Sequence, residues 1–570
     1  MFALNNLRGT DKDNDENSST KYSVLESSSS TSSGTKRPTK INPPLWNTWE
    51  FGFYYFIVTI SIILMFKVGH DLSKGMMSID SEFKTHPNYT KYSQRLQDGW
   101  LFNRKVDNSD IQFASFRNHY GALILALVIY LVLSHLYQFF FVPKPPAKFQ
   151  SQPLIRTYFF LGTNYLIPKV FEGSIANPII TWIFNLGVLF LNESYGNYGF
   201  GNLNENLAFL DNNRGLITRW DVTFNICMLR LVSFNMDYYW SFHPSNNSPE
   251  VILGESHRND RDLAPLTEKD RIIGPCFHED YNFVYYLSYA LYAPLYLAGP
   301  IITYNNFIAQ LRYPSEINLK ETLIYGVRLF ITIMIMEFML HYTYVVAISK
   351  SKAWEGDSPL ELAMIGVLNL QLVWLKLLII WRFFRFWAMS DGINTQENIL
   401  RCMLNNYSTA GFWRSWHRSY YRWLIRYIYI PLGGNKRTTL NMLIIFIFVA
   451  LWHDISLKLL AWGWLIWIFI LPETIAKTLF SSQEWVDWPH YRHFCAVGAI
   501  LNLLMMWAAN LVGFVVGLDG MKVLFTNIFM TPIGLMELGI ACIVLFGGSQ
   551  ILFEIREEEK RRGINSDIRY

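Results

Sequence analysis

The feature that most constrains this chain is a succession of long apolar runs separated by short polar loops. They lie at 51–66, 121–142, 154–170, 178–191, 216–234, 283–302, 322–347, 360–380, 440–452, 457–471, 496–516 and 532–553. A helix needs about twenty apolar residues to cross a hydrocarbon layer of about 30 Å. Several runs reach that length, and others are short and interrupted by Pro or Gly. Short broken runs fit helices that enter the membrane without crossing it, because neighbouring protein must satisfy their free backbone groups. The pattern predicts an all-α polytopic membrane protein of about ten to twelve membrane-embedded helices, re-entrant ones included.

Composition agrees with this. Only 16% of the residues are charged, against about 25% in a soluble domain. Twenty Trp, 32 Tyr and 42 Phe suit aromatic belts at both interfaces. A net charge of +4 leaves no nucleic-acid footprint. Residues 1–45 carry Ser27 to Ser33 and Pro38, Pro43 and Pro44; so little apolar surface predicts a disordered segment. Residues 46–553 form the expected membrane domain and 554–570 a charged C-terminal tail. The polar start shows no cleavable signal peptide, so the first run would act as an uncleaved anchor. A soluble loop is expected over 67–118; its sequon Asn88-Tyr89-Thr90 points to a luminal face. Cys227, Cys276, Cys402, Cys495 and Cys542 form no CxxC pair, which argues against a zinc site and a dense disulfide framework.

Ionisable residues inside apolar surroundings are costly and mark function by default. One group lies between Phe412 and Gly434. Arg414, Arg418, Arg422 and Arg426 recur every fourth residue, a cationic stripe on a helix, with Trp413, His417 and Tyr420 on the adjacent stripe. Pro431 and Gly433-Gly434 would end that helix. Such a stripe either meets lipid phosphates at the membrane surface or holds a polyphosphate headgroup through bidentate arginines. The second group is Leu451-Trp452-His453-Asp454, which closes an uncharged run. A histidine there is either a structural residue of the bundle or a general base able to take a proton from a hydroxyl.

Phe-Trp-Arg-Ser-Trp-His417, Tyr-Ile-Tyr-Ile-Pro-Leu-Gly-Gly434 and Leu-Trp-His453, in this order, resemble the signature of the membrane-bound O-acyltransferases. The similarity extends to Arg219-Trp220-Asp221, Ser233-Phe234-Asn235-Met236-Asp237 and Tyr292 to Pro300. It is strongest toward the branch that holds Hedgehog acyltransferase and the fungal glycerol-uptake proteins, and runs from about Pro44 to the end. The resemblance implies an acyl-CoA-dependent enzyme with a lipid acceptor. His453 would be catalytic and His417 the second polar position, with Trp413, Arg414, Arg418, Tyr420, Arg422, Trp452 and Asp454 about the substrates. It further implies acylation of the lyso-phosphatidylinositol moiety of glycosylphosphatidylinositol anchors in the endoplasmic reticulum membrane, with the plasma membrane as a second location. By its place before His417, Cys402 resembles the cysteine that holds haem b in the Hedgehog acyltransferase branch. Two readings compete: a proton-coupled glycerol transporter, and a non-catalytic regulatory membrane protein. The lack of an internal repeat weighs against the first, and retention of His453 against the second.

Overall fold

The computed structural model describes residues 43–73, 88–140, 153–195, 205, 220–243, 267–313 and 317–564. Of the segment 1–45 read as disordered, residues 1–42 lie outside the described residues, as do Arg219 and the side chains of Trp220 and Asp221.

Among the described residues, strand is confined to a hairpin of β1 (Leu96–Asp98) and β2 (Lys105–Asp107), paired antiparallel with Gln97 opposite Val106. The rest is helical. Six helices are long and apolar enough to cross a membrane. They are α1 (Trp49–Ser73), Leu319–Tyr342, Pro359–Ser390, Leu457–Leu479, Tyr491–Val515 and Pro532–Arg561; a helix pair bent by 55° over Ile111–Asn118 and Tyr120–His135 makes a seventh if it is one span. Several other apolar runs form shorter helices. These include α2 (Ala176–Tyr195), α3 (Trp220–Ser241) and, later in the chain, Thr438–His453. At 1.5 Å per residue a sixteen-residue helix spans about 24 Å, too little for a crossing. The run 283–302 is no single helix: Pro294 opens a second short one at Ala293–Leu297, and the chain then runs extended to the Thr303 cap.

Of the remaining elements, α4 is Leu319–Tyr342 and α5 is Pro359–Ser390. Helix α5 starts at a capping box of Ser358 and Glu361 with Pro359 in the first turn, which meets the orphan N–H groups there. It is the central post: Leu368, Ile379 and Trp387 are buried among side chains of α4 and the Ile111–His135 pair. Helix α1 instead leaves Ile63 and Leu64 exposed on a face with nothing packed on it, as a lipid-facing helix must.

The described part of the region expected as a soluble loop, 67–73 and 88–118, is more ordered than its composition suggests. Helix α1 continues through Ser73, and the hairpin docks on α4. Glu337 accepts two hydrogen bonds from Arg117, at 2.6 and 2.7 Å, and one from Trp100 at 2.9 Å. Asn88 of the sequon is only 4% exposed, and its side-chain amide donates to the Glu355 carbonyl at 2.8 Å. A glycan could not be attached there without breaking that packing, so the sequon gives no guide to sidedness.

Candidate active site

The segment read as one helical stripe is two helices. Helix α6 (Thr409–Ser415) ends at Trp416, whose backbone is extended, and α7 (Arg418–Leu424) begins after His417. His417 itself sits in the left-handed region at φ 46° and ψ 52°. A non-glycine residue there costs on the order of 1–3 kcal/mol and persists only where its surroundings over-determine it. They do so here. Asn398 accepts from the Arg418 N–H through its carbonyl (3.0 Å) and from the Ser419 N–H through its side chain (3.1 Å), and Ile399 bridges to Trp416. The turn lays the His417 ring on Trp381 of α5, with centroids 4.3 Å apart and planes at 23°.

The break disperses the arginines, correcting the expectation of a single cationic stripe. Arg414 is exposed on α6 and hydrogen-bonds Tyr421. Arg422 pairs with Glu268 at 3.1 Å. Arg426 lies in a single wide turn after α7 and pairs with buried Asp237 at 2.9 Å. Two of the four are thus neutralised by carboxylates before any ligand arrives.

His453 is the last residue of α8 (Thr438–His453), which makes an antiparallel pair with α9 (Leu457–Leu479). The uncharged sequence of α8 buries Phe446, Phe448, Val449 and Trp452 in one core with α2, α3, α7 and α9. His453 is exposed at the end of α8 and lines a narrow cleft. That cleft is bounded by Leu189, Asn192 and Glu193 of α2, Asn225 of α3, and Leu451 with Asp454 beside the histidine. Trp452 stands between the two histidines, its ring 4.8 Å from that of His453 and 6.4 Å from that of His417. Tyr420 lies 5.1 Å from His417 and 4.5 Å from Trp452, ring to ring, and its buried hydroxyl has no partner. Trp413 packs on Trp462 at 5.4 Å, its indole N–H likewise buried and unpaired.

The fold therefore gathers His453, His417, Trp452 and Tyr420, with Trp413 behind them and Asp454 on the cleft. Arg418 holds its place through its backbone; Arg414 and Arg422 are engaged elsewhere. Trp381 and Asn398 escaped the sequence reading. Both stand in ordinary local sequence, and only the fold brings them to His417.

Residues 212–517 match the family model of the membrane-bound O-acyltransferases. The chain belongs to that family. The acyltransferase is 41% identical to the membrane-bound O-acyltransferase gup1 of Schizosaccharomyces pombe, with 99% of each chain covered. It is 42% identical to GUP1 of Saccharomyces cerevisiae over 92% of this chain and 94% of that one. A more distant relative is the protein-cysteine N-palmitoyltransferase HHAT of Mus musculus, 27% identical over 35% of this chain and 42% of that one.

The haem implied by the Hedgehog acyltransferase resemblance does not fit the residues around Cys402. Burial pushes the Cys402 thiol up, and among the described residues no group of three or more His, Cys, Asp or Glu is placed to hold a metal ion. The neighbouring guanidinium groups are already occupied: Arg401 and Arg556 both pair with Glu559. No step of the chemistry runs through such a group.

Proposed function

We propose that the protein moves a fatty acyl group from acyl-CoA to a lipid hydroxyl, that of the lyso-phosphatidylinositol moiety of glycosylphosphatidylinositol anchors, in the endoplasmic reticulum membrane. The observation that carries this reading is His453: an imidazole on a cleft, at the end of an uncharged helix, near a second histidine and an unpaired tyrosine hydroxyl. The names printed for the yeast relatives support acyl transfer to oxygen.

The chemistry follows from the groups present. His453 takes the proton of the acceptor hydroxyl as its oxygen attacks the thioester carbonyl. The tetrahedral intermediate collapses, the carbon–sulfur bond breaks, and the CoA thiolate takes the proton back from the imidazolium. The thioester is already activated, so no acyl-enzyme is needed. The Tyr420 hydroxyl is a buried donor without a partner, suited to the carbonyl oxygen as charge develops on it. His417, held on Trp381, orients the donor from the other side of Trp452. Asn192 adds a buried, unpaired amide at the cleft, suited to an acceptor oxygen.

The test is acyl transfer by purified protein from labelled acyl-CoA to lyso-phosphatidylinositol lipid. His453→Ala should lose about 10²–10⁴-fold in turnover, the usual contribution of a general base, while remaining folded. Equal turnover by the two proteins would make His453 structural. Transfer to a protein or sterol acceptor instead of the lyso-lipid would keep the reaction and replace the substrate.

A further inference from the structure

The end of α8 is held by one residue of α3. Helix α8 stops at His453, and its capping residue Asp454 turns away at φ −175° and ψ 137°. The last carbonyls of a helix lack intrahelical donors and must find others. The Ala450 carbonyl finds the Asp454 N–H at 3.2 Å. The Trp452 carbonyl finds the side-chain amide of Asn225, which donates at 2.9 Å. The pairing is reciprocal: the Trp452 indole N–H donates to the Asn225 backbone carbonyl at 2.8 Å. With the Tyr420 ring against its face at 4.5 Å, Trp452 is pinned at its carbonyl, its indole N–H and its ring. His453 follows it directly and shares the cleft with Asn225.

A general structural tie between two helices would be satisfied anywhere along them. This one falls on the single turn that carries the base, and it uses the carbonyl that the helix end leaves free. We propose that Asn225 is a positioning residue for acyl transfer: its two hydrogen bonds with Trp452 fix the last turn of α8 and so the direction in which the His453 imidazole meets the acceptor hydroxyl. This rests on the reading of His453 as the base. Asn225 acts through Trp452, and the effect belongs to turnover, since a displacement of about 1 Å at a reacting group costs on the order of a hundredfold in rate.

The experiment compares full-length wild type with Asn225→Asp, Trp452→Phe and the double variant, in one lipid environment. Asn225→Asp keeps the shape but replaces the donor to Trp452 by an acceptor; Trp452→Phe keeps an aromatic ring but removes the indole N–H along with part of the ring packed on Tyr420. Hydrogen exchange of the amides at 450–456 should rise about tenfold in each single variant and stay unchanged elsewhere. Turnover should fall roughly 10–100-fold with KM for acyl-CoA within about twofold of wild type, and the double variant should fall no further than the weaker single. Unchanged exchange at 450–456 in both singles overturns the clamp. Raised exchange with turnover kept, or a loss confined to KM, overturns the positioning role. A wild type that transfers no acyl group overturns the reading of function and this catalytic consequence with it, while the exchange comparison still decides the clamp.

Discussion

At the scale of single residues, the site turns on where two imidazoles are held. His417 occupies a left-handed backbone position that Asn tolerates and β-branched residues do not. His417→Asn should therefore keep thermal stability near wild type, whereas His417→Val should lower it by about 1–3 kcal/mol. Unfolding of the two purified variants checks the difference. Because the His417 ring also stacks on Trp381, both variants should lose turnover, and Trp381→Leu should reproduce part of that loss without the strain. Equal activity of Trp381→Leu and wild type would show that the stacking does not serve catalysis.

At the scale of elements, the strongest tie near the site joins α3 to the turn after α7. Asp237 is fully buried. It accepts from Arg426 at 2.9 Å, from the Tyr427 hydroxyl at 3.0 Å and from the Asn305 N–H at 3.3 Å. Removing one member of such a pair strands the other charge. Asp237→Ala should thus destabilise by about 3–5 kcal/mol, and pairing it with Arg426→Met should recover part of the loss. A melting series on the singles and the double reads this directly. Helix α9 holds the approach to His417 in a similar way. Its Glu473 accepts from the Ser408 hydroxyl and from the Ala410 N–H at the start of α6, and pairs with Lys477 at 2.5 Å.

For the whole molecule, two questions are how the membrane domain is closed at each end and which end faces the cytosol. The final span, Pro532–Arg561, runs past its apolar part into charged residues that are packed. Glu554 is 4% exposed and pairs with Arg561, while Arg401 grips Glu559 at 2.9 and 2.7 Å. Lys436, Arg437 and Lys477 belong to the same end of the α8–α9 pair, since the Trp467 indole N–H reaches the Thr439 carbonyl at 3.0 Å. By the positive-inside tendency such a basic end is expected on the cytosolic side, and His453 lies at the other end of α8. A single reactive cysteine introduced at Gly563 should accordingly be labelled from the cytosolic side of sealed microsomes and protected in inverted ones. At the hairpin end, Glu337→Ala should leave Arg117 unpaired, lower stability by about 3–5 kcal/mol and raise hydrogen exchange across 96–107. Unaltered exchange there would mean that the hairpin is held by its backbone contacts alone.

What the sequence determined by itself was the class of structure and the residues proposed here for the chemistry. Apolar runs of membrane length admit few folds, because a backbone in lipid must satisfy its own polar groups. His453 stood out because it closes an uncharged apolar run, and His417 because it sits among the aromatic and arginine residues of the preceding segment. Three things were legible only in the tertiary structure. The four-residue period of the arginines promised one helix, yet long-range bonds from Asn398 break it at His417, and local periodicity cannot register a partner from another loop. The sequon at Asn88 looked like a surface signal, and burial against Glu355 removes that meaning. Trp381 and Asn225 carry no motif of their own. They matter because α5 and α3 bring them to His417 and Trp452, and contacts between residues far apart in the chain arise only when the helices pack.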